Sequence, residues 1–211
     1  MINTLTPILG AYLVGAIPFA LFIARCYGIP DIRKVGSGNI GATNVQRAAG
    51  FKAALWVYLF DIGKGVLPVL IARNIDQSLL NRELFLVLVA IAAVLGHVFP
   101  IYLKFKGGKG VNTALGALGS LMPVEALICL GVFFVLVISS RFISLGSICG
   151  ALAFPVVLLV ERYGLGHTVS DVYLVLVTVI AVLVIVTHRQ NIVRLMKGDE
   201  RRVSFGGKTN G

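Results

Sequence analysis

Three hydrophilic segments of this chain combine glycine with basic side chains, the residue types that bind phosphate groups in proteins. The segments are GSGNIGATNVQR (residues 36–47), KFKGGKG (residues 104–110) and HRQNIVRLMKGDE (residues 188–200). Glycine permits backbone conformations in which successive amides converge on an anion, while Lys and Arg supply positive charge. The sequence therefore predicts a protein that handles an anionic, phosphorylated substrate.

The first segment offers several kinds of hydrogen-bond donor within a dozen residues. Its glycines are Gly36, Gly38 and Gly41, and its small polar side chains are Ser37, Asn39, Thr43 and Asn44. Arg47 adds a planar fork that matches a phosphate group. The alternative is a connecting loop that needs glycine only for turns. The density of donors favours a binding loop.

The second segment places Lys104, Lys106 and Lys109 around the pair Gly107 and Gly108. A predicted helix follows, and the free amides and dipole of a helix N-terminus favour an anion. Gly110 stands where a nucleotide-binding P-loop requires Ser or Thr, so nucleotide hydrolysis is disfavoured. Asn112 or Thr113 can add a contact. The alternative, a cluster of lysines beside the membrane, explains the charges but not the paired glycines.

The third segment places His188 and Asn191 three residues apart, on one face of a predicted helix. Histidine transfers protons near neutral pH, so His188 is a candidate catalytic residue, with an interfacial structural histidine as the alternative. Ser144, in the segment SRFISLGS, is a further candidate for substrate contact, with helix capping as the alternative.

Three ionisable residues in apolar surroundings keep two interpretations each. His97 either orients the lysine segment that follows it or packs as a structural residue. Asp61 and Lys64 are three residues apart within an apolar run, where isolated charges are costly. They form either a neutralising pair that holds the helices together or a catalytic pair.

Long apolar runs must position these segments. Of the 211 residues, 57% are hydrophobic and 13% are charged, against roughly 45–50% apolar residues in soluble domains. The sequence predicts an all-α polytopic membrane protein with seven transmembrane segments, of which one is short. The predicted segments are residues 5–24, 53–72, 84–103, 111–121, 124–138, 142–160 and 172–187.

The distribution of Lys and Arg predicts the orientation of these segments, because cytoplasmic loops carry the excess of positive charge. The basic regions are residues 25–52, residues 104–110, Arg141 and the tail from His188. An even number of crossings must separate residue 110 from Arg141, so the short run 111–121 is counted as one. The N-terminus is then outside and the C-terminus cytoplasmic. Residues 1–200 are predicted to form one membrane domain, and residues 201–211 a basic, disordered cytoplasmic tail.

Several chemistries are missing from the sequence. It contains no GxSxG or HEXXH motif, and only Asp31, Asp199 and Glu200 among its nine acids lie in the cytoplasmic regions. We expect an enzyme that works without a metal or another cofactor. The net charge of +10 also suits anionic membrane lipid, so charge alone does not establish an anionic substrate. No nucleic-acid partner is predicted.

The three segments, in this order, resemble the bacterial acyl-phosphate:glycerol-3-phosphate acyltransferases, the PlsY family. The resemblance rests on GSGNIGATN with Arg47, on GHVFPIYLKFKGGKGV and on HRQNIVRLMKGDE, and extends from the first span to Glu200. Asn112, where a small residue is expected, is a minor departure. The resemblance implies transfer of a fatty acyl group from acyl phosphate to the 1-hydroxyl of glycerol 3-phosphate. The product is lysophosphatidic acid, in the first step of bacterial phospholipid synthesis.

The resemblance also implies a seven-helix fold in the bacterial inner membrane, with an active site that faces the cytoplasm. It implies that the glycerol 3-phosphate is surrounded by Ser37, Arg47, Lys106, His188 and Asn191, and that the KGGKG amides hold a phosphate. Gly38 and Asn39 are expected to bind substrate. A soluble enzyme that delivers acyl phosphate is implied too, although no residue pattern indicates it.

The expected mechanism is direct attack by the acceptor hydroxyl, with no acyl-enzyme intermediate. Lys106 and Lys109 would neutralise the leaving phosphate, and Arg47 would clamp the acceptor phosphate. The base is either His188 or a substrate phosphate. A transporter for phosphorylated solutes and a docking platform for soluble partners are the alternatives. A transporter is expected to carry internal repeats and binding sites near the middle of the membrane, and we find no repeat.

Overall fold

The computed structural model describes residues 2–77 and 79–203, and within these ranges it is entirely helical, without strands. Its α-helices are α1 (Ile2–Gly15), α2 (Phe19–Cys26), α3 (Ala42–Ala72), α4 (Arg82–Val98), α5 (Val111–Leu121), α6 (Pro123–Ser140), α7 (Ile143–Leu159), α8 (Asp171–Thr187) and α9 (Arg189–Lys197). Short 3-10 turns lie at Ile32–Lys34 and Ile101–Leu103, and a π turn at Val160–Gly164 follows α7. The predicted all-α class is confirmed.

Five helical segments are long and apolar enough to cross a membrane: Ile2–Cys26, Ala42–Ala72, Arg82–Leu103, Pro123–Ser140 and Ile143–Gly164. The pair α8 and α9, bent by 59°, makes a sixth if it is counted as one span, and α5 is a shorter apolar helix. The polytopic, apolar character is therefore confirmed. The count of seven spans and the orientation of the termini stay predictions.

Proline and glycine explain where the long helices break. Pro18 precedes α2 and separates it from α1, because proline cannot donate the hydrogen bond that would continue the helix. Gly50 interrupts α3 with φ 83°, a backbone conformation that glycine adopts without steric cost. The first turns of α3 therefore belong to the hydrophilic loop before them, and the apolar part of the helix begins after Gly50.

The chain divides into two compact units, residues 1–123 and residues 124–211. The single domain predicted over residues 1–200 stays a prediction. Of the predicted tail, residues 201–203 are described and 204–211 lie outside the described residues. Within the second unit the amide of Val203 donates to the carbonyl of Arg141 at 2.8 Å, and Arg202 lies over the ring of Phe142.

In the first unit, glycines bring helices into contact at the backbone. A Cβ added at Gly65 of α3 would lie 2.1 Å from the carbonyl oxygen of Thr113, and one added at Gly116 of α5 would lie 2.1 Å from that of Ile62. Small residues allow such close approach between helices in lipid. The short helix α5 is therefore fixed directly on α3, and the lysine segment that precedes α5 is anchored with it.

In the second unit, α7 packs against α8 and approaches α6 through Gly146. A Cβ at Gly146 would lie 2.6 Å from Cγ2 of Val137 and 2.9 Å from the carbonyl oxygen of Phe133. The bend between α8 and α9 falls at His188. This places the third hydrophilic segment at the end of the apolar helix α8.

Candidate active site

The loop before α3 is built around the buried side chain of Asn44. Its Nδ2 donates to the carbonyl oxygens of Ile32, Val35 and Asn39 at 3.2, 2.9 and 3.0 Å, and its Oδ1 accepts from the Ser37 amide at 2.9 Å. Asn44 therefore shapes the loop from inside, which differs from the expectation that it would donate to a ligand. Ser37 and Gly38 lie exposed on the outer side of the loop, and Asn39 is partly buried.

Two basic residues near this loop have different surroundings. Arg33 is held by Asp31, with Nε and Nη2 donating to the carboxylate at 2.9 and 2.8 Å. These side-chain hydrogen bonds lower the pKa of Asp31 to about 2, so the carboxylate is ionised at neutral pH and neutralises Arg33. Arg47 lies one turn after Asn44 on α3 and is partly buried. The contact of Arg47 with a substrate phosphate stays a prediction.

The amides of the paired glycines are used within the protein. Gly107 donates to the carbonyl oxygen of Val98 and Gly108 to that of His97, both at 3.1 Å. These bonds satisfy carbonyls at the end of α4, which a helix leaves without intrahelical partners. The finding differs from the expectation that these two amides face a phosphate.

Packing against His97 explains why glycine occupies both positions. A Cβ at Gly107 would lie 2.2 Å from the carbonyl oxygen of His97, and a Cβ at Gly108 would lie 2.2 Å from His97 Nε2. The loop that leads from His97 to these glycines turns through Lys104 and Phe105, which have φ of 52° and 62°. Lys104 and Lys106 are consequently exposed on its surface.

The groups that can meet a phosphate in this segment are therefore the lysine side chains and the start of α5. Lys109 is partly buried beside Gly110, which precedes the helix with φ 81°. The first amides of α5 face away from the helix body and, with the dipole, favour an anion. The side chain of Thr113 is fully buried, and its hydroxyl lies 3.1 Å from His97 Nδ1. Thr113 thus supports the segment from behind, where the sequence predicted a substrate contact.

His188 is buried at the bend between α8 and α9. Its Nδ1 lies 2.8 Å from the carbonyl oxygen of Val184. A carbonyl can only accept, so Nδ1 carries the proton, and the neutral ring has Nε2 as its proton-accepting nitrogen. This is the tautomer that His188 needs if it acts as a general base, because Nε2 then accepts the proton.

Glu200 organises the third segment, and the sequence interpretation missed it. Its Oε1 accepts from Ser144 Oγ at 2.9 Å and from Asn191 Nδ2 at 2.7 Å, and its Oε2 accepts from Arg194 Nε at 2.8 Å. Burial raises the pKa of Glu200, but the hydrogen bonds from Arg194, Asn191 and Ser144 outweigh it and hold the pKa below its ordinary value. An acid at the end of an otherwise cationic motif was the signal available in the sequence.

The structure brings parts of the three segments together in two separate groups, one within each unit. Within the first unit, Ile40 of the glycine loop and Pro100, before the lysine segment, line one small cavity with His97. Within the second unit, Ser144 and Asn191 meet at Glu200. Among the described residues, no three His, Cys, Asp or Glu side chains are grouped to bind a metal ion.

Comparison with known proteins identifies the family. The family model described as glycerol-3-phosphate acyltransferase matches residues 5–198. The chain belongs to this acyltransferase family. The sequence prediction of the family, and of an enzyme rather than a transporter or docking platform, is confirmed.

The similarity to individual relatives extends over nearly the whole length of this acyltransferase. A glycerol-3-phosphate acyltransferase of Geobacter sulfurreducens is 46% identical over 96% of this chain and 98% of the relative. One of Geotalea daltonii is 43% identical over 95% of this chain and 97% of the relative. The motif-bearing segments and the apolar helices thus fall within one continuous region of similarity.

Solved structures agree with the fold of the acyltransferase. A crystal structure of PlsY, described as an integral membrane glycerol 3-phosphate acyltransferase in its glycerol 3-phosphate form, has a TM-score of 0.85 and 38% identity. That similarity covers 95% of this chain and 96% of the other. The lysophosphatidic acid form of PlsY has a TM-score of 0.83 and 37% identity, over 95% of each chain.

Proposed function

We propose that this acyltransferase moves a fatty acyl group from acyl phosphate to the 1-hydroxyl of glycerol 3-phosphate, giving lysophosphatidic acid and inorganic phosphate. The observation that carries the proposal is the similarity, at 38% identity over 95% of the chain, to PlsY in its glycerol 3-phosphate form. A second PlsY structure holds lysophosphatidic acid. The two molecules are the acceptor and the product of one acyl transfer.

The proposal of acyl phosphate as the donor rests on the second segment and on its resemblance to the family motif. Lys104, Lys106 and Lys109 precede the N-terminus of α5, and all of these groups favour an anion. The acceptor phosphate is assigned to the first segment, through Arg47 with Ser37. The cationic lysine segment is then assigned to a second phosphate, which an acyl phosphate donor carries. This assignment includes Lys106, which the family resemblance also places around the glycerol 3-phosphate.

In the proposed reaction, the acceptor hydroxyl oxygen attacks the carbonyl carbon of the donor directly. The bond between the acyl carbon and the phosphate oxygen breaks, and the phosphate leaves with the electron pair while Lys106 and Lys109 neutralise its charge. The hydroxyl proton goes to His188 Nε2, an assignment supported by the hydrogen bond that fixes its tautomer. Since acyl phosphate is already activated, positioning and charge stabilisation supply most of the catalysis.

We also propose that the reaction needs no metal. The carboxylates in the basic segments already have protein partners in two of three cases: Asp31 is held by Arg33, and Glu200 by Ser144, Asn191 and Arg194. Ionised carboxylates are the ligands that Mg²⁺ prefers. Activity is therefore expected to survive excess EDTA.

The test is turnover by the purified protein in lipid nanodiscs with glycerol 3-phosphate and either palmitoyl phosphate or palmitoyl-CoA. We expect palmitoyl phosphate alone to support the reaction, with equal amounts of lysophosphatidic acid and phosphate, with or without EDTA. Turnover with palmitoyl-CoA but not with palmitoyl phosphate would refute the proposal that acyl phosphate is the donor. Activity that EDTA abolishes and Mg²⁺ restores would refute metal independence. Phosphate released in a burst before the acceptor is added would indicate an acyl-enzyme.

The topology is proposed as seven spans in the bacterial inner membrane, with the N-terminus outside and the basic segments in the cytoplasm. Single cysteines at the exposed positions Ser37, Lys104, Lys197 and Thr168 test it in a variant without Cys26, Cys129 and Cys149. We expect an impermeant thiol reagent to label only the position at Thr168 from outside intact cells. Labelling of the position at Lys104 from outside would refute this orientation. A soluble enzyme that supplies acyl phosphate is proposed on the motif resemblance alone.

A further inference from the structure

A charged pair lies inside the apolar part of α3. Lys64 Nζ is 2.9 Å from Asp61 Oδ1 and donates to the carbonyl oxygen of Ile17 at 3.0 Å. Both side chains are almost completely buried. Burying a charged pair within an apolar helix costs free energy, and such pairs add little net stability to the fold. The pair therefore calls for a function other than holding the helices together.

His97 connects this pair to the lysine segment. Its Nδ1 lies 3.7 Å from Asp61 Oδ1 and 3.1 Å from Thr113 Oγ1. On the other side of the ring, Nε2 faces Gly108, where an added Cβ would lie 2.2 Å away. The carbonyl oxygen of His97 also accepts the Gly108 amide at 3.1 Å. One residue thus contacts the carboxylate of α3, the first turn of α5 and the glycine pair.

Polar contacts, and not packing alone, fix the orientation of this ring. A cavity of about 10 Å³, near the lower limit for one water molecule, is lined by His97, Asp61 and Lys64 and borders Ile40 and Pro100. Among the described residues, Asp61 Oδ2 is a buried side-chain atom without a hydrogen-bond partner. The ring is not enclosed by close packing on this side, so its hydrogen bond to Thr113 and its approach to Asp61 decide its position.

We propose that His97, held by Thr113 and by the Asp61–Lys64 pair, is a positioning residue for the donor phosphate. It fixes Gly107 and Gly108 against the end of α4, and so sets where Lys106 and Lys109 present their charges. The inference rests on the proposed function, in which these two lysines neutralise the leaving phosphate. His97 acts through the loop and contacts no reacting atom.

This role predicts an effect on one substrate only. A loosened lysine segment should weaken the binding of acyl phosphate. It should also weaken the binding of inorganic phosphate, which is the leaving group of the reaction. The acceptor contacts assigned to Arg47 and Ser37 should be unaffected. A residue that serves only to hold the fold would instead reduce the fraction of active protein, which lowers kcat and leaves both KM values unchanged.

The experiment removes the Thr113 hydroxyl while keeping the side-chain shape. We expect Thr113→Val to raise the KM for palmitoyl phosphate, and the inhibition constant of inorganic phosphate, by about 10-fold, the factor that one lost buried hydrogen bond carries. The KM for glycerol 3-phosphate should stay within about 2-fold of wild type. Thr113→Ser, which keeps the hydroxyl, should restore the donor KM. Thr178→Val is the control, since the hydroxyl of Thr178 donates within its own helix, to the carbonyl oxygen of Leu174 at 2.7 Å.

His97→Asn is the second variant, and it covers the case in which Thr113→Val fails to fold. It retains a short polar side chain toward Thr113 and removes the ring beside Gly108, so it should show the same donor-selective effect. Unchanged KM values for both substrates, with kcat falling in step with thermal stability, would overturn the inference. A wild-type protein that does not turn over acyl phosphate would refute the proposed function itself, a different outcome from failure of the variants.

Discussion

Replacing Glu200 with glutamine tests whether one carboxylate holds the third motif together. Glutamine has nearly the same size, so the change removes charge and one acceptor oxygen with little change in packing. In the structure this carboxylate accepts hydrogen bonds from Ser144, Asn191 and Arg194. The variant leaves these donors with a neutral amide that has a single acceptor.

The expected loss of stability follows from these three contacts. Hydrogen bonds to a charged group contribute about 1.5–3 kcal/mol each, against about 1 kcal/mol for each of the two that the amide oxygen of glutamine still accepts in place of Oε1. Arg194 is 38% exposed, so its ion pair contributes only about 0–1 kcal/mol. The neutral amide is also less costly to bury, which offsets part of the loss. We expect a net loss of about 2 kcal/mol, or roughly 4–8 °C in Tm for a chain of this size.

The dependence on pH identifies the charge as the cause. Because the pKa of Glu200 is lowered in the folded protein, its contribution is complete above the ordinary pKa of a glutamate and is lost as the pH falls through the folded value. The Tm difference between wild type and Glu200→Gln should therefore be full at pH 7. It should shrink as the pH falls below about 4.5, the ordinary value.

The assay is thermal unfolding in detergent, followed by intrinsic fluorescence from pH 7 to pH 3. Asp199→Asn is the matched control, because it removes the neighbouring negative charge from an exposed side chain and should change the Tm by less than about 1 °C. Equal Tm values for the two variants at pH 7, or a difference that does not change with pH, would refute this account of Glu200.

Two further predictions concern the first unit. Arg47→Lys keeps the charge but loses the planar fork, and should cost about 1.5–3 kcal/mol, on the order of 10–150-fold in kcat/KM for glycerol 3-phosphate. Lys109→Ala should instead lower turnover at saturating acceptor, and the reverse pattern in steady-state kinetics would exchange the two phosphate assignments. Gly65→Ala should destabilise the protein by about 2 kcal/mol or more, because the added methyl would lie 2.1 Å from the Thr113 carbonyl oxygen. Gly63→Ala, where nothing lies within 4 Å, should leave the Tm unchanged or raise it slightly, and equal effects of the two glycine changes would contradict the close packing of α3 on α5.

The sequence by itself determined the helical class, the family and the identity of the three motifs. The apolar runs are long enough that helix is the structure that satisfies their backbone groups in lipid. The phosphate-binding character follows from residue types within short segments, such as the lysines around Gly107 and Gly108. Both kinds of information are local, so they can be read without knowing which distant residues meet.

Only the tertiary structure decided which of these residues face inward. Gly107 and Gly108 look like donors to a phosphate in the sequence, yet their amides bond the end of α4, and Thr113 bonds His97. Glu200 gains its role from Ser144, 56 residues earlier in the chain. A hydrogen-bonding group serves either the protein or a ligand according to the partner that folding places beside it, and short motifs do not encode that partner.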